Sequence, residues 1–221
     1  MSETKGQCPA HTADTNGSDS YAWNNSKNQP NVLGVAFLDA DYPVKIKKEL
    51  PKVNGKRRRK TVWTCPYYQR WFSMLKRCYW EGSNIAYKDV YVCEEWLKFS
   101  NFKSWMETQD WEGMALDKDI LGDGKIYSPK TCCFVPQRVN ALLIDAKASR
   151  GLYPKGVTSH KGRYIARVGD GKGNLNLGSY GCRTAAAIAY HKGKLKVVKK
   201  VCHTLQDKRV EEALIRRFSL G

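Results

Sequence analysis

No Cys-x-x-Cys pair occurs in this chain, although it carries eight cysteines, at positions 8, 65, 78, 93, 132, 133, 182 and 202. A zinc ribbon or knuckle therefore lacks its ligand spacing. Four of the eight fall within helix-like or strand-like apolar patterns, so reduced, mostly buried thiols of a cytosolic protein are the expectation. Long apolar runs are missing too. None approaches the roughly 18 residues of a spanning helix, and no basic segment leads into an apolar one as in a cleaved signal. A soluble protein with no membrane partner is expected. Histidine is scarce: four residues, at 11, 160, 191 and 203. Acids are locally scarce, since from Lys147 to Val201 thirteen Lys and Arg face one acid, Asp170.

The chain's 221 residues have room for one or two domains, and its 42% hydrophobic content is enough for a core. A mean hydropathy of −0.58 leaves a polar surface. The net charge of +17 destabilises the compact state by self-repulsion and points to a polyanionic partner.

Residues 1–30 are rich in Ser, Thr, Asn, Asp and Gly, the composition of a disordered tail. Val32–Phe37 reads as a short strand. Residues 31–64 form a basic region in which Lys45–Lys60 holds nine basic residues and one acid, Glu49. Asn54-Gly55 predicts a hairpin there, and Lys56, Arg57, Arg58, Arg59 and Lys60 are expected to contact phosphates without sequence preference. A helix is expected over 66–81, with Pro66 in its first turn and Tyr67, Trp71, Met74 or Leu75, and Cys78 at helical spacing. An extended piece is expected over 87–92. A second helix over 93–109 would align Trp96, Phe99, Phe102 and Trp105 or Met106. Between Glu81 and Asp119 nine acids outnumber four bases, an acidic middle lobe.

Asp117 and Asp119 alternate with Leu116, Lys118 and Ile120, so a strand would place both carboxylates on one face. Asp123-Gly124 is a turn signal, Thr131–Val135 reads as a returning strand, and a helix is expected over 137–147. Two carboxylates on one strand could hold a divalent metal, or be the solvated face of a small hairpin; both readings stand on spacing alone.

The stretch 153–202 reads as strand, turn, strand over 156–168, a glycine-broken turn at 170–174, and a third strand over 175–180. Thr184 then opens an alanine-rich helix. Residues 203–221 hold a last helix with Asp207 as its N-cap. The polar side chains on or beside these strands are Lys155, Lys161, Arg163, Arg167, Lys172 and Asn176. Arginine bidentate to guanine, or asparagine to adenine, would give base specificity. His160 reads as a phosphate or base contact and His191 as structural, while His203 has no evident partner.

Two stretches resemble known families. Residues 68–140 carry Trp71-x-x-Met74-Leu75-x-Arg77-Cys78-Tyr79, Tyr87-x-Asp89, Val92-Cys93-x-Glu95-Trp96-x-x-Phe99-x-x-Phe102, Leu116-Asp117-Lys118-Asp119, Tyr127-Ser128-Pro129 and Phe134-Val135-Pro136-x-x-x-Asn140. They resemble a phage and prophage group related to HNH homing endonucleases. Residues 156–190, with Gly156-Val157, Ala166-Arg167-Val168, Leu177-Gly178-Ser179-Tyr180, Thr184 and Ala189-Tyr190, resemble the plant Apetala/ethylene-response-factor DNA-binding domain, which in phages often follows HNH modules. The resemblance implies an α+β fold. An HNH-like strand-turn-strand-helix module over 65–148 would precede, at 153–202, a three-stranded antiparallel sheet on one helix. It implies a sheet reading the major groove of double-stranded DNA. It also implies Asp117 and Asp119 as catalytic residues, with Asp117, Asp119 and Asn140 as ligands for Mg²⁺.

HNH chemistry uses a histidine base, but all four histidines lie outside 68–140. Lys118 or Asp119 stands where the histidine is expected, Thr131 about where the central asparagine is, and Tyr164 in the place of a base-reading tryptophan. The expectation is a degenerate nuclease retained for DNA binding, in the host cytoplasm if phage-encoded. Its alternatives are an active Mg²⁺-dependent nicking enzyme and a protein engaging a host factor through the acidic lobe.

Overall fold

The computed structural model describes residues 30–143, 153–171 and 173–219, and these mix helix and strand. The disordered tail expected over 1–30 therefore lies, apart from Pro30, outside the described residues, as do Lys172 and the end of the helix expected over 137–147. The chain divides into two compact units, Met1–Thr108 and Gln109–Gly221. The division falls within the stretch 65–148 assigned above to one module.

In the first unit, β1 (Lys45–Val53) and β2 (Lys56–Thr64) form an antiparallel ribbon, and α1 (Pro66–Tyr79) follows directly. Asn54 and Gly55 both have positive φ, 50° and 73°, the paired left-handed turn whose twist matches a two-residue hairpin. Pro66 opens α1, where its missing N–H costs nothing. Tyr68, Trp71, Met74 and Leu75 bury the expected stripe. The helix stops at Tyr79, two residues early, because Trp80 turns extended. Next come a 3₁₀ turn at Ile85–Tyr87, β3 (Tyr91–Val92), a second 3₁₀ turn at Glu94–Leu97, and α2 (Phe99–Glu107).

Two expectations fail here for one reason. Residues 32–37 are not a strand but a tight turn closed by a Val32–Ala36 bridge, with Leu33 and Gly34 at positive φ. The chain leaving that turn breaks the expected helix over 93–109 at Lys98. The Phe37 N–H donates to Leu97 O (2.8 Å) and Phe37 O accepts from Phe99 N (3.0 Å). Asp39 Oδ1 accepts from the Ser100 N–H at 2.9 Å. The aromatic stripe survives the break. Trp96, Phe99, Phe102 and Met106 are all buried, and the Trp71 indole N–H donates to Trp96 O at 2.7 Å.

In the second unit, β4 (Ala115–Asp117) pairs antiparallel with β6 (Cys133–Val135), with β5 (Ile126–Tyr127) between them in sequence. The helix α3 (Gln137–Leu143) completes a strand-turn-strand-helix unit. The strands β7 (Val157–His160), β8 (Arg163–Gly169) and β9 (Asn174–Tyr180) form an antiparallel sheet in that order, packed on α4 (Arg183–Cys202). Val157, Ala166 and Val168 meet Ala186, Tyr190 and Val198 in this core. Gly193 lets helix and sheet close, because a Cβ there would lie 2.5 Å from Leu177 Cδ1. Cys182, not Thr184, precedes the first turn of α4, its sulfur accepting from the Ala185 N–H at 3.4 Å. The helix α5 (Lys208–Ser219) starts at its expected cap, with the Arg209 N–H donating to Asp207 Oδ1 at 3.0 Å.

Candidate nucleic-acid interface

Alternation along β8 sorts the sheet into two faces. Tyr164, Ala166 and Val168 turn toward the core, while Arg163, Ile165 and Arg167 occupy the opposite face. Register adds their neighbours. His160 pairs with Arg163, Thr158 and Ser179 flank Ile165, and Asn176 pairs with Arg167. The open face is thus basic and polar, with half-buried Ile165 at its middle. Arg163 and Arg167 are four residues apart, about 13 Å at strand rise. Arg163 is braced across β9: its Nε donates to Ser179 Oγ (2.9 Å) and Nη2 to Ser179 O (3.0 Å). Arg167 is exposed and opposite Asn176.

Asn176 owes its place to a bulge. Ala166 pairs with Gly178 but Arg167 with Asn176, so Leu177 is an extra residue on β9. Gly178 takes φ 123°, and its N–H donates to Asn176 Oδ1 at 3.1 Å. Strict alternation from Tyr180 would have turned Asn176 inward; the glycine inside the strand was the signal of the bulge.

Other expected contacts fall elsewhere. Lys161 is at the β7–β8 turn with φ 47°, so it projects from the tip of the hairpin. Lys155 lies beside Lys194 of α4, close enough that its charge, after burial, helps hold the Lys194 ammonium down at about 8. Tyr164, in the place of a tryptophan, is partly buried against the core, with Tyr153 edge-on at 6.2 Å. Sequence reasoning missed Thr158, Ser179 and Asn174, small polar residues that only the register assigns to a face. His203 does have a neighbour, Glu211 Oε1 at 3.8 Å. His191 is exposed on α4, its ring edge-on to Tyr190.

The basic ribbon is the second surface. Every residue of β1 but Leu50 is exposed, and every residue of β2 but Trp63 and Thr64. Lys56, Arg57, Arg58, Arg59 and Lys60 are all open to solvent. Glu49 is the ion-pair partner of Arg59, at 3.3 Å.

The carboxylates expected on one strand face are not so arranged, because β4 ends at Asp117. There the chain turns, and Asp117 Oδ1 accepts from the Asp119 N–H (2.8 Å) and the Ile120 N–H (2.9 Å). Burial raises the Asp117 carboxyl above its ordinary value, against these two hydrogen bonds. Asp119 is exposed and takes the buried Lys118 ammonium on Oδ1 at 2.8 Å. Asn140 is half-buried on α3, which packs against β4. This donor set does not fit a divalent cation. One oxygen of each carboxylate is committed, Asp117 Oδ1 to two backbone amides and Asp119 Oδ1 to the Lys118 ammonium, a cation where a metal would stand. Among the described residues no three His, Cys, Asp or Glu come together as a metal site. Nor is any described helix long and apolar enough to cross a membrane. Thr131, about where the HNH asparagine is expected, donates its hydroxyl to Ile126 O at 2.7 Å and holds the loop before β6. Comparison with family models, curated proteins and solved structures returns no match.

Proposed function

We propose that this chain is a double-stranded DNA-binding protein of phage type, derived from an HNH homing endonuclease, whose C-terminal sheet reads the major groove. The observation that carries the reading is the open face of the β7–β8–β9 sheet, where Arg163, Arg167 and Asn176 stand on a surface that no described helix covers. The major groove admits a β-surface and alone distinguishes all four base pairs. Arg167 and Asn176 are cross-strand neighbours, so together they suit a guanine and an adjacent adenine. The resemblance of residues 156–190 to the Apetala-type domain supports the same face. On this reading the protein works in the cytoplasm of the host cell, and nuclease chemistry is not retained, since the Asp117–Asp119 turn is committed to its own amides and to Lys118.

A gel-shift titration tests this. Affinity for duplex DNA should fall steeply with salt, as counterion release requires. Arg167→Ala should cost about 1–3 kcal/mol on a preferred site and relax preference at one base pair. Binding that is absent, or indifferent to salt, sinks the proposal.

A further inference from the structure

We propose that the β1–β2 ribbon is a DNA-binding arm in its own right, a two-stranded probe that lies in the major groove and meets phosphates on both groove walls. The inference goes beyond the sheet reading, because it holds whether or not the C-terminal sheet binds.

The ribbon puts one pair of like charges directly opposite one another. Lys48 faces Lys60, and Arg58 and Lys56 face only Leu50 and Val53. Like charges directly opposite destabilise an antiparallel pair, and the Glu49–Arg59 ion pair at 3.3 Å is the acidic relief within the ribbon. A polyanion between the strands' side chains removes that repulsion. The bases also alternate faces: Lys56, Arg58 and Lys60 project to one side, Arg57 and Arg59 to the other. A bilayer can meet only one face of a ribbon, whereas a groove has a wall for each.

Size and anchoring agree with this. Nine residues per strand span about 30 Å, close to the roughly 34 Å of one turn of B-DNA. The major groove of B-form DNA admits a two-stranded ribbon, while that of A-form RNA is too deep and narrow. The root is fixed. The Cys65 N–H donates to Val44 O at 2.9 Å, and Lys45 Nζ lies 5.1 Å over Tyr68 and 5.4 Å over Phe72. The base of the exposed ribbon is therefore tied to the start of α1.

The test uses the full chain and a random-sequence duplex. A variant carrying Lys56→Gln, Arg57→Gln, Arg58→Gln, Arg59→Gln and Lys60→Gln should lose about 100-fold or more in affinity near 0.1 M salt. Its log–log salt slope should be shallower by about 3 to 5. Glu49→Gln, which frees Arg59, should tighten binding a few-fold. Lys199→Gln with Lys200→Gln, two exposed bases of α4 on neither surface, should leave random-sequence binding within about threefold. That result, with the ribbon variant weakened, supports the arm even if the sheet reading fails. A ribbon variant with the wild-type slope overturns the arm and leaves the sheet reading standing. Amine acetylation of the unmodified protein gives a second readout independent of the variants' folding. Saturating duplex DNA should protect Lys47, Lys48, Lys52, Lys56 and Lys60. Unchanged labelling, or stronger protection by phosphatidylserine vesicles or duplex RNA, overturns the proposal.

Discussion

The Asp117 carboxylate closes the turn after β4 with one oxygen between two backbone amides, those of Asp119 and Ile120. Removing it leaves both donors without their acceptor, and Ile120 is buried. Asp117→Ala should therefore cost about 1–3 kcal/mol of stability, read by denaturant titration. Asp117→Asn keeps an oxygen in that place and should stay close to wild type in stability and DNA binding. If plasmid nicking with Mg²⁺ were present and Asp117→Asn abolished it at unchanged stability, the carboxylate would be a ligand and the structural role secondary. Lys194 is a second residue with a sign to check. Burial first, and the charge of Lys155 second, lower its ammonium from 10.5 to about 8, and its partner is the Phe218 ring at 5.4 Å. Between about 8 and 10.5 the unfolded chain holds a proton that the folded one lacks, so this residue's contribution to stability rises with pH across that window. Below about 8 the whole penalty is present. Lys194→Met should thus raise Tm at pH 7, and the gain should shrink toward pH 10. A gain that does not shrink would mean that Lys194 is not the group responsible.

At the scale of elements, legibility followed the range of the cause. Asn54-Gly55 specifies its turn locally, and so does the tip at Lys161-Gly162, with φ 47° and 75°; both hairpins were readable from sequence. So was α5, from Asp207 and the apolar spacing of Val210 and Leu214, both buried. The break in the helix expected over 93–109 was not. Its aromatic spacing is helical throughout, and the interruption at Lys98 comes from backbone bonds to Phe37, some sixty residues earlier. Periodicity carries no trace of such a partner. The open face of the sheet was half-legible for a similar reason. Arg163 and Arg167 follow from alternation along β8, but Asn176 reaches the same face through the Leu177–Gly178 bulge. That Tyr164 belongs to the inward set was not legible either, because sequence gives a strand's period without saying which set meets the helix. Packing of Ala166 and Val168 on α4 decides that.

At the scale of the whole chain, charge is what the sequence states most openly and what ties stability to function. The net charge of +17 is concentrated in two basic stretches, with acids gathered between residues 81 and 119. Like charges are consequently close in the folded state: Lys48 against Lys60 across the ribbon, and Lys155 beside Lys194. Salt screens such pairs, the Debye length shortening to about 10 Å at 0.1 M, so it should stabilise this fold by relieving self-repulsion. The same salt competes with the protein for phosphates. Raising NaCl from about 0.02 M to about 0.3 M should therefore move two measurements in opposite directions. Tm by calorimetry should rise by a few degrees, while affinity for duplex DNA falls by orders of magnitude. A protein whose charge served solubility alone would show the first change without the second. If Tm instead fell with salt, the ion pairs Arg59–Glu49 and Arg209–Asp207 would outweigh the repulsion. The excess of positive charge would then not be the strain that a polyanion relieves.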